Sequence, residues 1–139
     1  MPTYLTRRVT FAAAHRYRIA EWSDERNAAT FGLCARPNFH GHSYVCDVTV
    51  TGDVDPVTGF LVDLPKLDNA LQREVRERFD HSNINLDIAE FRDGGLVPTG
   101  ENVARFICER VQGALGDAAR VVRVVVAEDS TLSATYEPG

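Results

Sequence analysis

The stretch that decides the fold is His40-Gly41-His42-Ser43-Tyr44-Val45-Cys46-Asp47-Val48-Thr49-Val50-Thr51, residues 40–51. From His42 onward, apolar residues alternate with polar ones, so that Tyr44, Cys46, Val48 and Val50 share one face. This alternation predicts a half-buried strand with one face against a core. The strand is expected to belong to a sheet that other elements cover on one side.

Patterning predicts the remaining elements in the order strand, strand, strand, helix, helix, strand, strand. The expected strands cover residues 4–12, 42–51, 60–62, 120–127 and 130–136, with a turn at 55–59 and irregular connections at 14–41 and 80–96. Two apolar stripes at helical spacing predict the helices: Leu64, Leu67, Leu71, Val75 and Phe79 after a cap at Asp63, and Val103, Phe106, Ile107, Val111 and Leu115 between Thr99 and Gly116. Helices grouped between antiparallel strands indicate an α+β fold with both helices on one face of the sheet.

Composition excludes several classes of protein. The 139 residues are 44% hydrophobic and 25% charged, which is typical of one globular domain over residues 1–139. The formal net charge of -5 disfavours an electrostatic partnership with nucleic acid. Neither an apolar stretch of membrane-spanning length nor a signal-peptide core is present, so we expect no membrane partner and a cytoplasmic location.

The three cysteines do not predict a disulfide framework, because their number is odd and their spacing wide. The sequence also contains no Cys-x-x-Cys pair, so it does not predict a thiolate-rich structural zinc site. Cys46 and Cys108 fit buried, inert thiols, on an apolar strand face and in a helix. Cys34 differs, since it lies in a polar loop six residues before His40 and is a candidate for an activated thiolate.

Three of the four histidines are expected to meet. His40 and His42 stand two residues apart at the mouth of a strand, so their side chains point the same way. His15 follows the first strand and approaches them if strands one and two form a hairpin. Three imidazoles would leave an open position on a tetrahedral zinc ion, as in catalytic sites. The residues alone leave open that each histidine makes only an ordinary hydrogen bond.

Two further motifs have both a chemical and an ordinary interpretation. Asp80 could orient His81 for general acid–base catalysis, although the pair could equally be a helix end. Glu128, at the end of a valine-rich strand, could accept two N–H bonds from the guanidine-like edge of a pterin or guanine. Glu128 could equally be a solvated strand end.

In combination these motifs resemble one family. Residues 31–44, Phe-Gly-Leu-Cys-Ala-Arg-Pro-Asn-Phe-His-Gly-His-Ser-Tyr, are similar to the corresponding segment of 6-pyruvoyltetrahydropterin synthases, a family that includes bacterial 6-carboxytetrahydropterin synthases. Further similar segments are Phe11-Ala12-Ala13-Ala14-His15, residues 59–64, Asp80-His81-Ser82-Asn83-Ile84-Asn85, Pro98-Thr99-Gly100-Glu101-Asn102 and Val126-Ala127-Glu128. The resemblance covers nearly the whole chain, although Phe79 replaces the leucine that the family has before Asp-His.

The resemblance implies a T-fold (tunnelling fold), whose sheets close into a β-barrel by oligomerisation, usually as a hexamer of two trimers. It implies Zn²⁺ on His15, His40 and His42, with 7,8-dihydroneopterin triphosphate as the substrate. Cys34, Asp80 and His81 would be the catalytic residues. The substrate-binding residues would be Glu128, which anchors the pterin ring, and the nearby Thr99 and Glu101.

The family includes two reaction products. The five residues between Cys34 and His40 resemble the pyruvoyl-forming enzymes, since the carboxy-forming branch of queuosine biosynthesis more often has a shorter spacing. We therefore expect 6-pyruvoyltetrahydropterin, with 6-carboxytetrahydropterin and acetaldehyde as the alternative. The residues also leave open a T-fold relative acting on another pterin or purine, a non-catalytic zinc or pterin-binding protein, and a zinc hydrolase, which the missing His-Glu-x-x-His motif disfavours.

Overall fold

The computed structural model describes residues 1–92 and 94–139 and contains a five-stranded sheet. The strands are β1 (Tyr4–His15), β2 (His40–Thr51), β3 (Ser82–Asn83), β4 (Arg120–Asp129) and β5 (Leu132–Tyr136). Their order in the sheet is β3-β1-β2-β4-β5. All neighbours are antiparallel except the two-residue β3, which pairs parallel with β1.

Two long helices cover one face of this sheet. Helix α2 runs from Leu64–Leu71 through a π-helical turn at Gln72–Arg76 to Glu77–Phe79, and α4 covers Gly100–Leu115. Shorter helices are α1 (Asp24–Phe31) and α3 (Ile84–Asp87), with 3-10 turns at Gly32–Ala35, Ala89–Phe91 and Gly116–Ala118. The α+β fold with two helices on one face is therefore confirmed.

Alternation along the central strands explains why the core lies on one side. Cys46 and Val48 of β2 and Val124 of β4 are fully buried beneath the helices. On the opposite face, Arg8 donates two hydrogen bonds to the Asp47 carboxylate at 2.8 and 3.0 Å. A buried valine contributes about 1.5 to 3 kcal/mol relative to an exposed one, so the register of these strands is strongly determined.

The predicted strand at residues 60–62 is wrong. The turn before it is confirmed, since the Asp55 carboxylate accepts hydrogen bonds from the backbone of Val57 and Thr58. The returning segment has no strand to pair with, because β2 already has β1 on one side and β4 on the other. Leu61 and Val62 pack against the core instead.

The two long connections contain more structure than the sequence analysis predicted. Helix α1 lies within residues 14–41, and the loop expected at 80–96 contains β3 and α3. Helix α1 buries only Asn27, so it has no apolar stripe that would have revealed it. Its other signals are present: the Ser23 hydroxyl accepts a hydrogen bond from the backbone of Arg26, and acidic residues occupy the first turn.

The helix stripes are confirmed with one exception. All five predicted residues of the α4 stripe are buried, and so are Leu67, Leu71, Val75 and Phe79 of α2, but Leu64 is 40% exposed. Thr99 caps α4 through its hydroxyl, which accepts a hydrogen bond from the backbone of Asn102. Asp63 precedes α2, but its side chain makes no capping hydrogen bond.

Both outer edges of the sheet are open to further strands in the described structure. β3 pairs with β1 only at Ala13 and Ala14, so among the described residues no strand pairs with the outer edge of residues 4–12, and β5 pairs only with β4. Open edges are suited to pairing with another chain, so the expected barrel stays a prediction. None of the helices described here has the length and apolar composition to span a bilayer, and the cytoplasmic location also stays a prediction.

Two glycines near the end of α4 provide a matched test of the helix boundary. Gly116 has φ +55°, whereas Gly113 lies within the helix, and a Cβ at either would meet open space. We expect Gly116→Ala to lower the free energy of unfolding by about 1 to 2 kcal/mol through backbone strain. Gly113→Ala should raise it by about 0.5 to 1 kcal/mol. Urea denaturation measures both, and equal changes of one sign would contradict this helix end.

Candidate metal centre and substrate site

The register of β1 and β2 brings three histidines together. His15 lies opposite His40, and Ala13 lies opposite His42, so all three imidazoles project from the helix-covered face. One ring nitrogen from each histidine lies within 4.8 Å of the others. The chain therefore contains a three-histidine group that could hold a metal ion, as the sequence analysis predicted.

One nitrogen atom of His15, Nε2, has the lone pair that a metal would need, and the Tyr44 hydroxyl lies 3.4 Å from it. The Nδ1 atom of His15 lies 2.8 Å from the backbone oxygen of Pro98, and a carbonyl oxygen can only accept, so Nδ1 carries the proton. The lone pair is then on Nε2. A second hydrogen bond that fixes the ring and its tautomer in this way is typical of histidines that bind metals.

Burial favours the uncharged form of two of the three histidines, which is the form that a metal requires. His15 is fully buried, and burial lowers its pKa to about 4, with smaller contributions from His40 and His42. Burial also lowers the pKa of His40. The Nε2 atom of His42 is buried and makes no hydrogen bond within the described residues. A buried imidazole nitrogen without a partner fits a ligand to a divalent metal ion.

Glu128 lies beside this cluster on β4 and is buried. Its carboxylate oxygens lie 3.7 Å from Nε2 of His42 and 4.0 Å from Nε2 of His15. The Tyr17 hydroxyl donates a hydrogen bond of 3.1 Å to Oε1. Burial and the charge of Glu128 raise the pKa of Tyr17, so this hydroxyl stays protonated and a donor. The solvated strand end considered for Glu128 is therefore wrong.

Sequence analysis missed Tyr17, which contacts several parts of the site. Its ring meets the edge of His15, with 5.1 Å between the ring centroids. Its backbone nitrogen donates to the carbonyl oxygen of Cys34 at 2.7 Å, which holds the Cys34 turn against the segment after β1. A tyrosine two residues after a suspected metal ligand was the only available signal, and the polarity of the segment hid it.

Cys34 is half-buried in the 3-10 turn Gly32–Ala35 and faces the same region. Burial, and secondarily the charge of Glu128, raise the pKa of its thiol. The groups of this chain alone therefore favour the thiol over the thiolate, contrary to the activation expected from the sequence. A positive charge close to the sulfur is needed to reverse this preference.

Asp80 and His81 contact each other, with 3.0 Å between Oδ2 of Asp80 and Nδ1 of His81. Both are attached to the backbone of Ala12 at the outer edge of β1, where Asp80 accepts from its nitrogen and the His81 nitrogen donates to its oxygen. The His81 side chain is largely exposed, and its φ is +59°. Within the described residues, no hydrogen bond or ion pair links this pair to Cys34 or to the three histidines.

The remaining two candidates lie at the start of α4. Thr99 uses its hydroxyl to cap this helix. Glu101 is exposed, and it lines a cavity of about 40 Å³ together with Tyr17 and Glu128. The structure therefore brings Glu101 and Glu128 to one cavity, with the Thr99 side chain engaged in the helix itself.

Comparison with known proteins agrees with this geometry. The sequence model of the family described as 6-pyruvoyl tetrahydropterin synthase matches residues 4–139. The chain is 40% identical over 111 residues to the Homo sapiens protein named 6-pyruvoyl tetrahydrobiopterin synthase, covering 80% of this chain and 75% of that protein. It is 35% identical over 112 residues to the Bacillus subtilis protein named 6-carboxy-5,6,7,8-tetrahydropterin synthase, covering 77% and 72% of the two chains.

A solved structure extends the similarity to the fold. The Caenorhabditis elegans 6-pyruvoyl tetrahydropterin synthase structure matches with a TM-score of 0.93 and 32% identity, over 100% of this chain and 97% of that one. The protein is thus a T-fold protein of the pterin-synthase class. The chain belongs to the 6-pyruvoyl tetrahydropterin synthase family, as the sequence motifs predicted.

The metal centre predicts a difference between two histidine variants. His42→Ala should reduce bound metal sharply, because it removes one of three ligands, as measured by elemental mass spectrometry of the purified protein. The matched control is His81→Ala, which removes an exposed imidazole outside the cluster and should retain its metal. Equal metal content in both variants would contradict this ligand set.

The buried His15 predicts a pH dependence of the metal-free protein. Its folded-state pKa of about 4 lies below the value of 6.5 for a free side chain, so the unfolded chain binds the proton more readily. The contribution to stability is therefore complete above pH 6.5 and is lost as the pH falls toward 4, by about 3 kcal/mol in total. Urea unfolding of the wild type and of His15→Gln should show a shallower pH slope in the variant, and parallel slopes would disprove the assignment.

Proposed function

We propose that this protein is a zinc-dependent carbon–oxygen lyase that converts 7,8-dihydroneopterin triphosphate to 6-pyruvoyltetrahydropterin with loss of triphosphate. The observation that carries the proposal is the convergence of three imidazoles with the buried carboxylate of Glu128. The similarity to proteins named 6-pyruvoyl tetrahydrobiopterin synthase supports this substrate. The reaction combines elimination with internal redox rearrangement, so no external redox cofactor is required.

His15, His40 and His42 would hold the Zn²⁺ ion. Three imidazole nitrogen donors suit zinc and leave one position for substrate oxygen. When bound, the metal supplies Lewis-acid polarisation of the side-chain oxygens of the substrate, which acidifies the adjacent C–H and O–H groups. Pro98 fixes the His15 ring for this purpose through its backbone oxygen.

Glu128 would bind the pterin ring. A carboxylate can accept two parallel hydrogen bonds from the guanidine-like edge of a pterin, and burial strengthens such charge-assisted bonds. Tyr17 orients the carboxylate through its hydroxyl, and Glu101 lies on the same cavity. The sequence resemblance assigns Thr99 to this subsite as well.

Cys34 would take a proton from the substrate side chain, with His81 as the partner acid or base and Asp80 orienting it. Within the described residues no hydrogen bond or ion pair joins Cys34 to His81, which supports a site assembled from two copies. The cavity of about 40 Å³ beside Glu128 is also too small for a bicyclic ring, since ligand pockets usually measure about 300 Å³ or more. The open edges of the sheet suit such an assembly, and the hexamer of two trimers is part of this proposal.

The alternative product is 6-carboxytetrahydropterin, formed from the same substrate with release of acetaldehyde. The similarity to the Bacillus subtilis protein supports this alternative. Mass spectrometry of the products from zinc-loaded protein and 7,8-dihydroneopterin triphosphate separates the two. A 6-pyruvoyl product is the expected result, whereas a 6-carboxy product would overturn the branch, and no conversion by metal-loaded protein would overturn the activity.

Two cysteine variants test the assignment of Cys34 as a catalytic residue. Cys34→Ala should lower turnover by about 10²- to 10⁴-fold, the usual contribution of a general base, without loss of zinc. The control Cys108→Ala removes a buried thiol from α4 and should remain active. Loss of zinc from Cys34→Ala would instead make this cysteine a ligand, and normal turnover would remove it from the mechanism.

A further inference from the structure

A second cavity lies beside the Cys34 turn. This arginine groove has a volume of about 340 Å³, and its lining includes Arg16, Arg18, Arg36, Asp24, Asn27 and Gly32. The groove is larger than the cavity beside Glu128, and three of the six residues named carry a positive charge. The proposed mechanism leaves these groups without a role.

Two of the three arginines have no carboxylate partner in the part of the chain that the structure describes. Arg18 donates to the Asp24 carboxylate at 2.9 Å, so its charge is compensated. Arg16 donates only to the backbone oxygen of Pro37, at 3.4 Å. Within the described residues, Arg36 makes no side-chain hydrogen bond or ion pair. The groove therefore has surplus positive charge on a chain whose formal net charge is -5.

Phe39 keeps Arg16 in position. The Arg16 guanidinium lies over the Phe39 ring, 4.8 Å from its centroid. Phe39 has φ +65°, a backbone conformation that non-glycine residues seldom adopt, immediately before the metal ligand His40. A strained backbone that persists at such a site is often part of its function. Here the strained residue supplies the surface on which the guanidinium is held.

The wall of the groove is rigid because Asn27 is buried and fully bonded. Its Oδ1 accepts from the backbone nitrogen of Ile19, and its Nδ2 donates to the backbone oxygens of Ile19 and Ser23. These bonds connect α1 to the segment that carries Arg16 and Arg18. A groove held in this way is preorganised, so little conformational entropy is lost when an anion binds.

The groove and the metal centre share the same short segments of chain. Arg16 follows the metal ligand His15 directly, and Arg36 lies two residues after Cys34. The bond from the Tyr17 nitrogen to the Cys34 oxygen holds these two segments together. Tyr17 turns its side chain toward Glu128, whereas its neighbours Arg16 and Arg18 line the groove. The two cavities therefore border the same short stretch of chain.

We propose that the arginine groove binds the triphosphate of the substrate through Arg16 and Arg36. This inference rests on the proposed function, in which the pterin ring lies at Glu128 and the side chain at the histidines. The triphosphate is the most negatively charged part of the substrate, and guanidinium groups bind phosphate oxygens through paired hydrogen bonds. Local positive charge also offsets the repulsion from an acidic protein.

Arg36→Gln tests the groove, because this side chain makes no hydrogen bond or ion pair with any residue that the structure describes. We expect KM for 7,8-dihydroneopterin triphosphate to rise about tenfold, which corresponds to one lost charged hydrogen bond. The inhibition constant of 7,8-dihydroneopterin should stay within about twofold of the wild-type value, because this ligand lacks phosphate and loses no hydrogen bond to Arg36. KM of the wild type should also rise more steeply with salt than KM of the variant.

The matched control is Arg26→Gln, because Arg26 is an exposed arginine of α1 that stacks on Trp22 at 3.7 Å and does not line the groove. It should leave both constants unchanged. Equal weakening of the two ligands by Arg36→Gln, or no weakening of either, would overturn the subsite. If the wild type shows no turnover, the proposed function fails separately, and the two dissociation constants measured by fluorescence quenching then test the groove with the same expected ratio.

Discussion

The antiparallel pairing of β1 with β2 is the constraint on which the site depends. It places His15 opposite His40 and leaves His42 two residues further along the same face, so the three imidazoles converge. A slip of one residue would turn a histidine toward the opposite face and would bury Asp47 and Thr49 in place of Val48. Core packing along the strands therefore sets the geometry of a metal centre at their ends.

This arrangement has a cost in stability that local contacts offset. The fully buried His15 is stabilised by the backbone oxygen of Pro98, and the buried Glu128 by the hydroxyl of Tyr17. Unsatisfied polar groups in such positions would each cost about 1 to 3 kcal/mol. His42 keeps one buried nitrogen without a partner among the described residues. That nitrogen is the clearest sign that the cluster is built for a ligand rather than for folding.

Strained backbone is concentrated near the same end of the molecule. Phe39 and His81 are the two non-glycine residues with positive φ in the described chain, and both belong to segments that the proposed mechanism uses. Phe39 precedes a metal ligand and supports Arg16, whereas His81 projects from the outer edge of β1 with Asp80 beside it. The exposed position of His81 fits a residue that completes the site of a neighbouring copy.

The sequence by itself determined the fold class, the long helices, four of the five strands and the three-histidine cluster. It did so because these features depend on local periodicity, and because His40 and His42 lie two residues apart on a strand whose buried face is evident. The family motifs pointed to the same candidates, Cys34, Asp80, His81 and Glu128 among them.

Only the tertiary structure decided which groups meet. It excluded the strand at 60–62, because β2 has both edges occupied, and it revealed α1, whose only buried residue is polar. It also brought Tyr17 to Glu128, which are 111 residues apart in the chain. Such contacts depend on how strands and loops pack across the whole domain, and no pattern within a short stretch of sequence contains that information.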